Sequence, residues 1–158
     1  MRKNNRLEIF LIFSANRPII LIMKHDKYFK TLGLIARDLP RVFRAQISAG
    51  IVYKNEFVSF GSNQLKTHPF QQKFSKHEDA IYLHAETDAI KNALKVLTQE
   101  QLARSTLYIC RLKQISSEDE RKVWGLAKPC PGCQRAIATF GIKDVYYTTD
   151  THNHFECM

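Results

Sequence analysis

Four residues in two short clusters have the types and spacing for metal-assisted acid–base chemistry. They are His84 and Glu86 in His84-Ala85-Glu86, and Cys130 and Cys133 in Pro129-Cys130-Pro131-Gly132-Cys133. One imidazole nitrogen and two thiolates give a zinc ion three ligands and leave the fourth tetrahedral position open to water, as a catalytic site requires. Zinc lowers the pKa of such a water to about 7, and a neighbouring carboxylate can carry its proton. Cys130 and Cys133, three apart at a helix start, can reach one ion together. His84 and Glu86 would splay around the flank of a helix, but in its first turn, with the ion off the end, both approach one small volume. Both helix N-termini then point at the ion, and their dipoles favour thiolate over thiol. Taken singly the clusters say less: a Cys-x-x-Cys is also a redox pair or half of a closed four-ligand zinc site. Together, in this order and with a strand between them, they favour a catalytic zinc centre.

The elements that must position these residues are legible from periodicity. Tyr28, Leu32, Ile35 and Leu39 form one apolar stripe of a helix over 24–44, with Lys27, Lys30, Arg37 and Arg41 on the other side and Pro40 near its end. Gln46–Tyr53 and Phe57–Phe60 are β-rich runs around Lys54-Asn55-Glu56, a hairpin pattern. From Gly61 to Tyr82 the chain is polar, a connection long enough to expect a role in function. A second helix is expected over 83–97, with Glu86, Ile90, Ala93 and Leu97 on one face. Ser105–Leu112 reads as a strand, followed by a polar stretch from Gln114 to Lys128 that carries the only tryptophan, Trp124. A third helix opens at Pro129-Cys130-Pro131 and stops at Gly141, and Val145–Thr149 is a last strand. The order α-β-β-α-β-α-β implies a mixed sheet between helices.

A chain of 158 residues makes one domain and can bury enough surface to dispense with disulfides. With 44% hydrophobic and 25% charged residues it is neither disordered nor fibrous, and four cysteines are too few for a disulfide scaffold. The net charge of +9 suggests an anionic partner: a nucleotide, a nucleic acid or a membrane surface. Residues 1–22 hold two apolar patches split by Arg17-Pro18, which argues against a membrane span. They are read as an N-terminal extension or an added edge strand, with Met23 as an alternative start and the domain at 23–158; a signal peptide is the less favoured reading. No membrane partner is expected, and zinc-binding thiolates without a convincing export signal favour the cytoplasm. Cys110, alternating on its strand, is expected to be a packed thiol. His152, His154 and Cys157 at the C-terminus are expected to sit in a frayed tail rather than a second metal site.

Over about residues 24–150 the chain resembles the cytidine/deoxycytidylate deaminase-like superfamily of zinc deaminases. Besides His84-Ala85-Glu86, the resemblance rests on Pro129-Cys130-Pro131-Gly132-Cys133-Gln134-Arg135-Ala136-Ile137 and on Gly141-Ile142-Lys143-Asp144-Val145-Tyr146-Tyr147. It implies an α/β, three-layer α-β-α cytidine deaminase-like fold with a mixed sheet of four to five strands. It also implies zinc held by His84, Cys130 and Cys133, Glu86 as the catalytic proton shuttle, and attack at C4 of a cytosine-type or C6 of an adenine-type ring. Substrate-binding residues are expected at Asn63, Ala85 and Pro129, with Lys66 for a phosphate and Trp124 for a base. The insertion at 114–128 departs from the family pattern, and the family's fifth strand and last helix are not expected in this chain. The substrate implied is a free nucleotide or nucleoside, cytidine or deoxycytidylate going to the uridine compound and ammonia. The alternatives are a deaminase of bases in single-stranded DNA or RNA, supported by the charge and the α-helical basic stripe, and a non-catalytic zinc module, against which Glu86 argues. The resemblance further implies a homo-oligomer.

Overall fold

The computed structural model describes residues 19–40, 45–75 and 82–158, without the side chains of 19–22. The reading of residues 1–22 as an extension or edge strand lies outside these except at 19–22, which belong to the first helix. The first helix, α1 (Ile19–Asp38), runs unbroken through Met23 and ends two residues before Pro40. The hairpin follows as β1 (Gln46–Tyr53) and β2 (Glu56–Ser62). Its two-residue turn puts Lys54 and Asn55 at φ 52° and 67°, the left-handed pair that a tight hairpin requires.

The polar stretch beyond β2 contains a short helix that periodicity missed, α2 (Pro69–Phe74). Its signal lay in His68-Pro69: the imidazole of His68 accepts the Phe70 N–H, and proline occupies the first turn. The helix expected over 83–97 is shorter, α3 (Ala85–Ala93), and is followed by α4 (Gln99–Ala103). A reciprocal capping box between Thr98 and Gln101 starts α4, a pattern readable in the sequence. Then come β3 (Thr106–Gln114), β4 (Lys122–Gly125), α5 (Pro131–Thr139), β5 (Asp144–Thr148) and β6 (Phe155–Cys157).

The sheet has six strands rather than four or five, in the order β2-β1-β3-β5-β6, with β4 paired to the far half of β3. Both additional strands come from segments expected to lack one. β4 lies in the polar insertion and β6 in the tail, where Phe155 is buried against α1. The tail is therefore folded: burial of the Phe155 ring and the pairing of β6 with β5 act together. Thr148 splices β4 to the sheet: its hydroxyl accepts the Arg111 N–H and donates to the Gly125 carbonyl. Among the described strands only the β3–β5 pair is parallel.

The sheet is buried on both faces. Ala49, Ile51, Leu107, Ile109, Val145 and Tyr147 face α3 and α5, while Val52, Tyr108, Cys110, Leu112 and Tyr146 face α1. The α-β-α layering follows from this period-2 alternation, and Cys110 is a packed thiol as expected. Among the described residues no helix is long and apolar enough to cross a membrane.

Candidate metal centre and active-site cavity

His84 is the residue before α3, at φ −84° and ψ 157°, and its side chain makes no capping hydrogen bond. Its backbone does the holding instead. The His84 carbonyl accepts the Asp88 N–H at 3.0 Å and the Thr87 hydroxyl at 3.0 Å, while its N–H donates to Oε1 of buried Gln71 at 3.2 Å. The imidazole is thus free to turn toward α5. There Cys130 holds the matching position, at φ −68° and ψ 164°, also without a side-chain cap. Its carbonyl accepts the Gln134 N–H, and the Gln134 amide reaches back to the Pro129 carbonyl at 2.8 Å. At its other end α5 closes on Gly141, at φ 71°, with the Ile142 N–H on the Ile137 carbonyl and the Gly141 N–H on the Ala138 carbonyl.

Two helix starts therefore meet. Cys130 Sγ lies 3.5 Å and Cys133 Sγ 3.3 Å from His84 Nδ1, and the three donor atoms all lie within 4.8 Å of one another. With Zn–S near 2.3 Å and Zn–N near 2.0 Å, tetrahedral ligation separates nitrogen from sulfur by about 3.5 Å. The donor set and its spacing fit zinc, and among the described residues it is the one His/Cys/carboxylate group close enough to share an ion. His152, His154 and Cys157 do not form another.

The support around the ligands was not legible in the sequence. Gln71 of α2 accepts from both His84 and the Thr87 hydroxyl, so one fully buried amide pins the first turn of α3. Arg135 of α5 donates through Nε and Nη2 to the Phe74 carbonyl, fastening α2 to α5. The carboxylate of Asp88 accepts the Ser62 N–H and the Gln64 amide and pairs with Lys91 at 2.6 Å, joining α3 to the end of β2. Gly61 permits that contact: a Cβ there would lie 2.2 Å from Ala89 N and 2.3 Å from Ala85 O.

Charge at the site follows from burial and from neighbours. Cys130 is held well below the usual thiol range, first by a hydrogen bond from Cys133 and then by His84. Cys133 is pushed up by the Cys130 sulfur and by burial, and His84 is raised chiefly by its hydrogen bond to Cys130. Burial raises Glu86 above the ordinary carboxylate range, with only 6% of the residue exposed. A carboxyl so raised takes up a proton more readily than an exposed one, which suits a proton carrier.

A cavity of about 330 Å³ opens onto these groups, a volume within the range of small-molecule sites. Ile47, Leu65, Leu83 and Ala85 supply apolar wall, and Asn63, Gln64, Tyr82, His84, Glu86, Lys128 and Cys130 supply polar atoms. Of the expected substrate residues, Asn63 and Ala85 line the cavity. The Asn63 amide, however, accepts from Ile47 N–H at 2.9 Å and donates to the Ala45 carbonyl at 2.9 Å, clamping the start of β1. Pro129 sits behind the lining, between Lys128 and Cys130. Lys66 is exposed and outside the lining; Lys128, which the sequence reading passed over, is the lysine that reaches it. Trp124 lies elsewhere, on β4, with its ring 5.5 Å from Phe29 of α1, so the sheet separates it from Glu86.

The family model for the cytidine and deoxycytidylate deaminase zinc-binding region matches residues 23–149. Two solved structures of dCMP deaminase from the cyanophage S-TIM5 are similar. The apo form is 20% identical, with a TM-score of 0.47, covering 83% of this chain and 84% of that one. The complex with dCMP and dUMP is 24% identical, with a TM-score of 0.48, covering 84% of this chain and 83% of that one. No curated protein matches the chain in sequence.

Proposed function

The chain belongs to the cytidine and deoxycytidylate deaminase zinc-binding family, and from that premise we propose that it is a zinc-dependent hydrolase. Its substrate is a cytosine-type base in a free nucleotide or nucleoside, and its products are the uracil-type base and ammonia. The observation that carries this reading is the position of Glu86: buried, in the first turn of α3, and lining one cavity with His84 and Cys130. A structural metal site has no use for a carboxylate there.

His84, Cys130 and Cys133 would hold the zinc, which when bound would supply a water of lowered pKa as nucleophile. Glu86 takes the proton from that water and passes it to the ring nitrogen, and a second proton then goes to the departing amino group. With water added at C4, the first proton stays on the ring nitrogen; the second comes from the added hydroxyl, so C4 becomes a carbonyl as the C–N bond breaks and ammonia leaves. Ile47, Leu83 and Ala85 wall the flat ring away from bulk solvent, which strengthens each of these charge interactions. Lys128 at the cavity takes the place foreseen for Lys66, as the cation for a substrate phosphate. Asn63 acts through β1, holding Ile47 in the wall.

The test is zinc-loaded protein offered cytidine, deoxycytidine, CMP, dCMP and a cytosine-containing oligonucleotide, with ammonia release as the readout. Glu86→Gln should keep its zinc and lose about 10²–10⁴-fold in turnover, the usual worth of a positioned proton carrier. Equal turnover by Glu86→Gln, or none by the zinc-loaded wild type on any of these, overturns the reading.

A further inference from the structure

We propose that the groove between α1 and β4 is a docking site for single-stranded nucleic acid. It has a volume of about 770 Å³ and shares no lining residue with the cavity at Glu86. One wall is a helical row of α1, Asp26, Lys30, Gly33 and Arg37, spaced four, three and four so that all share a face. That row is about 16 Å long at 1.5 Å per residue. The other wall is β4, whose Lys122 and Trp124 alternate onto the same side of the strand.

Three observations point to this occupant. The first is charge: Lys30, Arg37 and Lys122 outweigh Asp26, which pairs with Lys30 at 3.3 Å, and Lys122 Nζ reaches across to the Arg37 carbonyl. The second is the aromatic ring. Half-buried Trp124, backed by buried Phe29, lines the groove together with Leu34, which is 61% exposed, and offers an aromatic face of the kind unpaired bases stack on. The third is Gly33. A glycine inside a helix is unfavourable relative to alanine, and here a Cβ would meet nothing within 4 Å. No packing within the described chain calls for it; its bareness widens the groove where a flat base or a backbone must lie close to the helix. Cations on both walls of an elongated groove beside a stacking ring match a phosphate chain with exposed bases better than a compact ligand.

Trp124 is the chain's only tryptophan, so its fluorescence reports on this groove alone. The experiment titrates the full-length, zinc-loaded protein with a fluorescein-labelled 15-nucleotide oligodeoxythymidylate. Anisotropy and Trp124 emission are followed together, with inorganic polyphosphate as a base-free control. The expected result is saturable quenching that tracks anisotropy, with a log–log salt slope of about −1.5 to −2 for two to three neutralised phosphates. Polyphosphate should compete without quenching. Arg37→Glu with Lys122→Glu, and separately Gly33→Leu, should each weaken binding at least 10-fold while leaving the melting temperature near wild type and any small-substrate turnover unchanged. Anisotropy that rises with Trp124 emission unmoved places the strand elsewhere and overturns the proposal, as does absence of binding. Trp124 quenching on concentrating the protein alone, with doubling of mass by light scattering, gives the groove to a second copy and also overturns it.

Discussion

At the scale of single residues, the two lysines near the site differ in what their backbones allow. The backbone of Lys128 is held on both sides, by the Ala127 N–H on the Thr148 carbonyl and by the fixed φ of Pro129, so its side chain leaves the chain beside Cys130. Lys66 spends its carbonyl on the Leu83 N–H, and its exposed side chain is not part of the cavity lining. Lys128→Ala should therefore raise KM for a nucleoside monophosphate about 2- to 10-fold, the range for one exposed charge contact, and leave the nucleoside unaffected. Lys66→Ala should change neither. Steady-state kinetics on matched nucleotide and nucleoside substrates measure the difference, and an equal loss on both removes the phosphate role. The cysteines separate in the same way. Exposed Cys157 should alkylate quickly at pH 8, while Cys110, buried and with its thiol pushed up to about 12, should stay unmodified until the protein unfolds. Peptide mass mapping after iodoacetamide treatment reads this directly.

At the scale of elements, the zinc ligands depend on how closely α3 approaches β2. Gly61 lets the helix backbone lie against the strand, and Asp88 then bonds Ser62 and Gln64 at the strand's end. In Gly61→Ala the new methyl meets helix backbone, which cannot swing aside as a side chain would. The helix must shift, at about 1–3 kcal/mol or more for overpacking, and His84 at its first turn shifts with it. The expected result is a lower melting temperature together with weaker zinc retention in a chelator competition. A loss of stability with unchanged zinc affinity would show that the ligands are held independently of β2. The short helix α2 has a parallel role, since Gln71 pins α3 and Phe74 receives Arg135 from α5. In the sequence α2 looks like loop. Six residues show no periodicity, and the value of Gln71 arises only when α3 is brought against it.

At the scale of the whole molecule, the sheet is covered on both faces, and this places ionisable groups where their charged forms are unwelcome. Cys110 and Tyr108 lie under α1, and burial raises both above their ordinary values of 9.0 and 10.0. Between pH 9 and about 12 the folded chain keeps a proton on Cys110 that the unfolded chain releases, and Tyr108 adds to this above pH 10. The folded state then binds more protons than the unfolded one, so stability is complete below pH 9 and falls as pH rises. Thermal melts should show a declining midpoint from pH 9 to 11, with a shallower decline in Cys110→Ala even though that variant starts lower. The net charge of +9 is also a whole-molecule quantity, and the structure divides it. Lys128 lines the cavity at Glu86, whereas Lys30, Arg37 and Lys122 gather in a groove across the sheet from it.

The catalytic chemistry was carried by local pattern. His84-Ala85-Glu86 and Cys130–Cys133 each span a few residues, and helix starts, strand alternation and the stop at Gly141 are set by short-range geometry, so these could be read along the chain. What lies behind the ligands could not. Gln71 and His84 are 13 residues apart, Arg135 and Phe74 are 61, and Asn63 and Ile47 are 16. Trp124 and Lys66 likewise have no face until the sheet assembles. Their partners are chosen by which layers come together, and that choice minimises exposed apolar area and unsatisfied polar groups over the whole fold rather than within any stretch of sequence. The sequence by itself determined the candidate metal donors; the packing of α2, α3 and α5 on one face, and α1 on the other, decided which remaining side chains surround them.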